Sequence, residues 1–156
     1  MVRLIRMFTG KWDRTSLNQQ QKTFGRFKTN GAPLDGTSEF DAPNYKADPH
    51  GHVIPLNAHM RLANPNTPQT DNQRLIRRSY NYDLGIDQDG NMQAGHIFVA
   101  YQQDVDRQFA TVQNRLIGEP LAQFVVPFGG GYFFTLPGVS DSGDWYGSGL
   151  LAQAQD

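Results

Sequence analysis

The chain of 156 residues contains no cysteine. This absence excludes disulfide bonds, zinc–thiolate sites, iron–sulfur clusters and thiol nucleophiles. Long apolar runs are also lacking, because stretches such as 121–128 are short and interrupted, and none could span a bilayer. The N-terminus alternates charged and hydrophobic residues instead of forming the apolar centre of a signal peptide. We therefore expect a cytoplasmic protein with no membrane partner.

The composition is that of a folded globular chain, with 38% hydrophobic, 12% aromatic and 19% charged residues. Its length predicts a single domain, 1–156. The net charge of −1 is unevenly distributed, since residues 1–30 carry seven Lys or Arg and one acid, whereas residues 116–156 carry four acids and no base. These basic residues are dispersed and do not form a block, so we expect no nucleic-acid partner.

Hydrophobic periodicity predicts four strands and at least two helices. The strands are predicted over residues 2–9, 74–82, 96–103 and 132–136. Ser16 and Gln19 have the spacing of a capping box, which predicts a helix that ends at Gly25. Asp104 is a good N-cap for a second helix, and a short terminal helix is predicted over 145–153.

The resulting order of elements is β-α-insertion-β-β-α-β. This order is typical of the ferredoxin-like, split βαβ fold of the α+β class, an antiparallel sheet with helices on one face. Residues 27–72, rich in Pro, Asn, Asp and Gly, form a long insertion between the first helix and the second strand. Irregular segments of this length in compact domains are usually functional or disordered, so we expect the insertion to carry a site.

Common catalytic motifs are missing, among them HExxH, GxSxG, GxGxxG and the P-loop. The glycines of 129–131 precede a predicted strand, which favours close backbone packing over a phosphate-binding loop. No two of the four histidines have the spacing of a helical metal site. The residues alone therefore give no support to hydrolase, kinase or dinucleotide-dependent chemistry.

The segment VIPLNAHMRLANP, residues 53–65, resembles the proximal-haem segment of the dye-decolourising peroxidases. The likeness continues in order along nearly the whole chain and is closest to the deferrochelatase/peroxidase branch; the other matching segments are 25–26, 31–34, 75–82, 97–104, 109–116 and 129–138. The resemblance implies a peroxidase domain with haem b as cofactor. Its implied reaction uses hydrogen peroxide to oxidise phenolic or dye-like aromatic donors.

The same resemblance implies roles for individual residues. His59 matches the axial ligand of the haem iron, which would bind through Nε2. Arg77 matches the distal arginine, a fixed cation that stabilises charge as the peroxide bond separates. Strand alternation sends the neighbouring Arg78 to the opposite face of the sheet.

The resemblance also places Phe98 over the haem, and three further residues keep two interpretations each. Arg61 is either a partner of a haem propionate or a solvated cation. Asp104 either accepts from Nδ1–H of His59 or is only an N-cap. His96 lies on the strand face of Phe98 and is either a substitute acid–base group or a histidine at the strand edge.

The dye-decolourising peroxidases consist of two ferredoxin-like halves, and this chain resembles only the second. The family's distal aspartate, in a GxxDG loop of the first half, has no match here, and Asp35 in the similar LDGT segment is interpreted as a turn residue. Two alternatives to a complete peroxidase follow. The chain is a haem-binding or haem-handling module without turnover, or it is a subunit that pairs with a separate N-terminal half, or with itself, through an edge strand at residues 2–9.

Overall fold

The computed structural model describes residues 1–153. Its strands are β1 (Val2–Met7), β2 (Ile76–Arg77), β3 (Tyr80–Ile86), β4 (Met92–Tyr101) and β5 (Val125–Gly131). Its α-helices are α1 (Thr9–Asp13), α2 (Leu17–Phe24), α3 (His59–Ala63), α4 (Thr111–Arg115) and α5 (Ser148–Gln153). Short 3₁₀ helices lie at Pro68–Gln73 and Pro120–Gln123, and a π-helical turn at Val105–Ala110 leads into α4. Within this described part of the chain, no helix is long and apolar enough to cross a membrane.

The strands form one antiparallel sheet in which β1 lies between β4 and β5. The short β2 and the longer β3 both pair with the other edge of β4. The spatial order is therefore that of a split βαβ fold, which confirms the predicted ferredoxin-like class.

The structure corrects the interpretation of residues 2–9 as an edge strand. β1 has neighbours on both sides, so its backbone hydrogen-bonding groups are already used within the sheet. A strand from a partner therefore cannot pair with β1.

The last strand is also misplaced by the sequence pattern, since β5 covers Val125–Gly131 and not residues 132–136. Glycines disfavour strands in general, so 129–131 had the pattern of a turn. In the sheet, however, Gly130 has a φ of +122°, and a Cβ there would collide with the carbonyl oxygen of Val2. The glycines therefore allow β5 to approach β1 closely, which confirms the prediction of close backbone packing.

Both predicted main helices are present. Ser16 caps α2, its hydroxyl accepting from the backbone N–H of Gln19, and Gly25 ends the helix in the left-handed conformation with a φ of +83°. Asp104 caps the second helical segment, its side chain accepting from the N–H of Arg107 at 2.9 Å. This segment begins with the π-helical turn, which the apolar spacing did not indicate.

The register divides the sheet into two faces. We call the side that carries Arg3, Arg77, His96 and Phe98 the helix face, because Phe98 lies 6.2 Å from the ring of Phe109 in the π-helical turn. We call the opposite side the open face. It carries apolar side chains from all five strands: Val2, Leu4, Ile76, Tyr80, Tyr82, Ile97, Val99, Tyr101, Val126 and Phe128.

Candidate functional site

His59 begins α3, at the end of the long insertion. Its Nδ1 lies 2.7 Å from Oε2 of Glu119, and the two side chains are 27% and 9% exposed. A carboxylate accepts hydrogen bonds, so this contact assigns the proton to Nδ1 of His59. The lone pair is then on Nε2, the nitrogen that can bind a metal ion.

Glu119 was not found by sequence reasoning, which considered Asp104 as the acceptor for His59. The structure corrects that alternative, because the Asp104 side chain accepts from the backbone of Arg107 as an N-cap. Glu119 is 60 residues from His59 and directly precedes a short 3₁₀ helix. No local spacing connects the two residues, and only the folded chain brings them together.

Arg61 has neither of the roles that the sequence left open. Its guanidinium donates to the backbone carbonyls of Ile54 at 2.9 Å and Asp48 at 2.8 Å, and it lies 3.5 Å from the Asp48 carboxylate. It also covers the ring of Tyr45, 4.8 Å from the ring centre. The side chain is only 12% exposed. Arg61 is therefore an internal anchor of the insertion, not a solvated cation and not a free partner for a propionate.

A second arginine fixes α3 against the helix layer. Arg115 at the end of α4 donates to the carbonyls of Leu62 at 2.9 Å and Ala63 at 3.0 Å. These are carbonyls at the C-terminal end of α3, which lack partners within the helix. A third bond, 2.6 Å to the Gln73 side chain, holds the following 3₁₀ helix. Arg115 therefore holds the helix that begins at His59.

Arg77 in β2 pairs with Ala100 of β4, which places it on the helix face with His96 and Phe98. The next residue, Arg78, donates its backbone N–H to the carbonyl of Val99. Burial, followed by the charge of Arg77, lowers the pKa of His96, so the guanidinium is close enough to act on the imidazole. The prediction that Arg77 and Arg78 lie on opposite faces of the sheet is consistent with the pairing of β2 and β4.

The candidate residues belong to two different parts of the fold. His59 and Glu119 belong to the helices and their connections, whereas Arg77, His96 and Phe98 belong to the helix face of the sheet. Among residues 1–153, no group of three or more His, Asp or Glu side chains could hold a metal ion directly. A single histidine nitrogen supported by a carboxylate suits a metal that is already held by a macrocycle.

Comparison with known proteins agrees with this arrangement. The family model "Dyp-type peroxidase, C-terminal" matches residues 1–140. The chain is 51% identical to deferrochelatase from Escherichia coli K12 over 150 residues, which are 96% of this chain and 36% of that protein. Deferrochelatase from Yersinia pestis is 51% identical over 151 residues and 35% of its length. The chain therefore spans about a third of these relatives.

Solved structures give the same result. A DyP-type peroxidase from Cellulomonas bogoriensis aligns with a TM-score of 0.72 at 40% identity, over 81% of this chain and 35% of that one. Ferric DtpA from Streptomyces lividans aligns with a TM-score of 0.71 at 38% identity, again over 81% of this chain and 35% of that one. On the match over residues 1–140, this chain belongs to the family of Dyp-type peroxidase C-terminal domains.

Proposed function

We propose that this chain is the haem-binding domain of a dye-decolourising peroxidase, with His59 as the axial ligand of the iron. The observation that carries the proposal is the pair of His59 and Glu119, which fixes the proton on Nδ1. Hydrogen bonding of this kind orients a ligating imidazole and increases its basicity. Within residues 1–153, Nε2 of His59 has no hydrogen-bond partner and is free to bind a metal.

Haem b fits these residues better than a covalently attached haem. The chain has no cysteine, so the thioether links of c-type haem cannot form. A b-type haem would be held through its iron by one histidine, and His59 offers a nitrogen for this without any covalent link to the porphyrin. When bound, haem would supply the electron transfer between hydrogen peroxide and an aromatic donor.

Arg77 is proposed as the cation of the distal side. A guanidinium stays protonated and donates several hydrogen bonds, so it can stabilise negative charge on bound peroxide. In the haem-loaded chain, Arg77→Leu should lower the rate of peroxide-dependent oxidation of a phenol by about 10²–10³-fold. Arg78→Leu is the control because it removes the neighbouring charge, and its rate should stay near wild type. Equal losses in both variants would contradict the role of Arg77.

Titration of the purified chain with haem tests the axial ligand. The wild type should develop the Soret band of histidine-ligated haem, and His59→Ala should not. His52→Ala is the control, since His52 is exposed on the same insertion and has no proposed role. An unchanged spectrum in His59→Ala would exclude His59 as the ligand.

A second candidate function is that of a subunit or fragment that binds haem fully only with a partner. The open face favours it, since Ile76 and Tyr80 there are 64% exposed and Phe128 is 59% exposed. A separate N-terminal half or a second copy of the chain would cover these side chains. Weak haem binding by the chain alone would agree with this candidate. The cytoplasmic location stays a prediction.

A further inference from the structure

His96 and Asn81 form a pair on the helix face that the proposed function does not use. They are directly opposite each other in β4 and β3, and Nδ1 of His96 lies 3.4 Å from Oδ1 of Asn81. The ring of His96 is next to Phe98, with 6.5 Å between ring centres. This pair is therefore on the same side of the sheet as Arg77.

The contact selects one form of the imidazole. The Oδ1 atom of Asn81 accepts hydrogen bonds and cannot donate them, so a hydrogen bond across this 3.4 Å contact requires the proton on Nδ1 of His96. Nε2 then holds the lone pair. Among residues 1–153, Nε2 has no hydrogen-bond partner, so its lone pair is free to accept a proton.

The surroundings favour a neutral imidazole. Burial, and then the positive charge of Arg77, lower the pKa of His96 below its ordinary value. The other charged groups on this face are Arg3 and Asp83. Arg3 is held over the ring of Phe109 and bonded to the side chain of Gln113, and Asp83 accepts from the N–H of Gly85. His96 is thus a base that is uncharged at neutral pH beside a permanent cation.

We propose that His96 is a proton acceptor for hydrogen peroxide, positioned by Asn81 and acting beside Arg77. This inference rests on the proposed function. One proton would leave an oxygen of hydrogen peroxide for Nε2, giving a hydroperoxide anion and an imidazolium ion. No electron moves in this step, and the guanidinium of Arg77 stabilises the anion. Arg77 cannot accept the proton itself, because it is already fully protonated.

Nuclear magnetic resonance of the haem-free chain, with ¹⁵N-labelled histidine, tests the role of Asn81 without any turnover. The signals of His96 are those that disappear in His96→Leu. They should show a protonated Nδ1 and an unprotonated Nε2 at neutral pH. Asn81→Leu should abolish this preference, and Asn18→Leu, a change on the exposed surface of α2, should not. A proton on Nε2 in the wild type, or an unchanged form in Asn81→Leu, would overturn the proposal.

Cyanide binding by the haem-loaded chain tests the proton transfer, since hydrogen cyanide must also lose a proton. His96→Leu should slow cyanide association at neutral pH about a hundredfold or more, with an unchanged Soret band before cyanide is added. A wild-type rate in His96→Leu would overturn the role of His96 and leave His59 as the ligand. A missing Soret band in the wild-type chain would instead contradict the proposed function.

Discussion

The Glu119 carboxylate would control how strongly His59 donates to a metal in the proposed role. By accepting a hydrogen bond from Nδ1–H, it gives the imidazole partial imidazolate character and fixes the orientation of the ring. The Phe24 ring packs against the His59 ring in an edge-to-face arrangement, with 6.1 Å between the ring centres, and limits its rotation from another side. One hydrogen bond and one aromatic contact thus prepare a single nitrogen for binding.

Glu119→Gln keeps the size of the side chain and removes the charge. We expect haem affinity to fall about 10–100-fold, the usual cost of losing the partner of a ligating histidine. The reduction potential of the bound haem should rise, because the histidine donates less electron density. Haem titration and spectroelectrochemistry measure both quantities. The matched control is Glu39→Gln, an exposed glutamate in the insertion, and equal behaviour of the two variants would contradict the assignment.

At the scale of elements, the ion pair of Asp48 and Arg61 orders the insertion, because both side chains also bond to its backbone. The Asp48 carboxylate accepts from the N–H groups of His52, Val53 and Ile54, and it lies beside Arg61. Burial raises the pKa of Asp48. The hydrogen bonds from these N–H groups and the charge of Arg61 together lower it by more, so the pKa of Asp48 lies below its ordinary value. The segment before His59 thus gains its shape from these polar side chains together with the buried apolar side chains of Ile54 and Ala58.

Arg61→Met should destabilise the chain, because it leaves buried carbonyls without donors. We expect a loss of about 1–3 kcal/mol in the free energy of unfolding, measured by urea denaturation. Arg74→Met is the control: its pair with Asp71 is exposed, and the loss should stay below about 1 kcal/mol. Since the folded-state pKa of Asp48 is lowered, its contribution should be complete above pH ~4 and vanish as the pH falls further. Equal losses in both variants would contradict the anchoring role of Arg61.

Sequence patterns predicted those elements whose signals are local. Ser16, Gln19 and Gly25 delimit α2 within ten residues, and alternation located β1. The patterns failed where long-range contacts decide. Gly130 belongs to a strand because it packs against Val2, and Glu119 matters because the fold brings it to His59.

The resemblance located the candidate site more completely than any pattern. It singled out His59 and Arg77, although the roles of both stay predictions. It could not show that Arg61 is occupied within the insertion, because the partners of a side chain depend on the packing of Tyr45 and Asp48 around it. An arginine two residues from a candidate ligand looks the same in the sequence whether or not its guanidinium is already bonded to other groups of the protein.

At the scale of the whole molecule, the sheet is covered on one side only. The helix layer packs on the helix face, while the open face exposes aromatic and aliphatic side chains from four strands. Large contiguous apolar patches on a protein surface often mark interaction sites. The open face is therefore the part of the described fold where we expect a partner to bind.

The isolated chain should self-associate at micromolar concentration, because burial of the open face removes apolar surface from water. Sedimentation velocity measures this association. The double variant Tyr80→Lys, Phe128→Lys should shift the chain toward monomer, and Leu17→Lys with Val53→Lys, two exposed apolar residues outside the sheet, should not. A stable monomer in the wild type would show that the fold does not need this face to be covered.

Chemical rescue tests most directly whether the nitrogen of His59 binds the haem iron. His59→Gly should give a haem complex without the histidine-ligated Soret band, and added imidazole should restore that band by occupying the vacated position. His52→Gly should keep the band without imidazole. A wild-type spectrum in His59→Gly before imidazole is added would contradict the proposed role of His59.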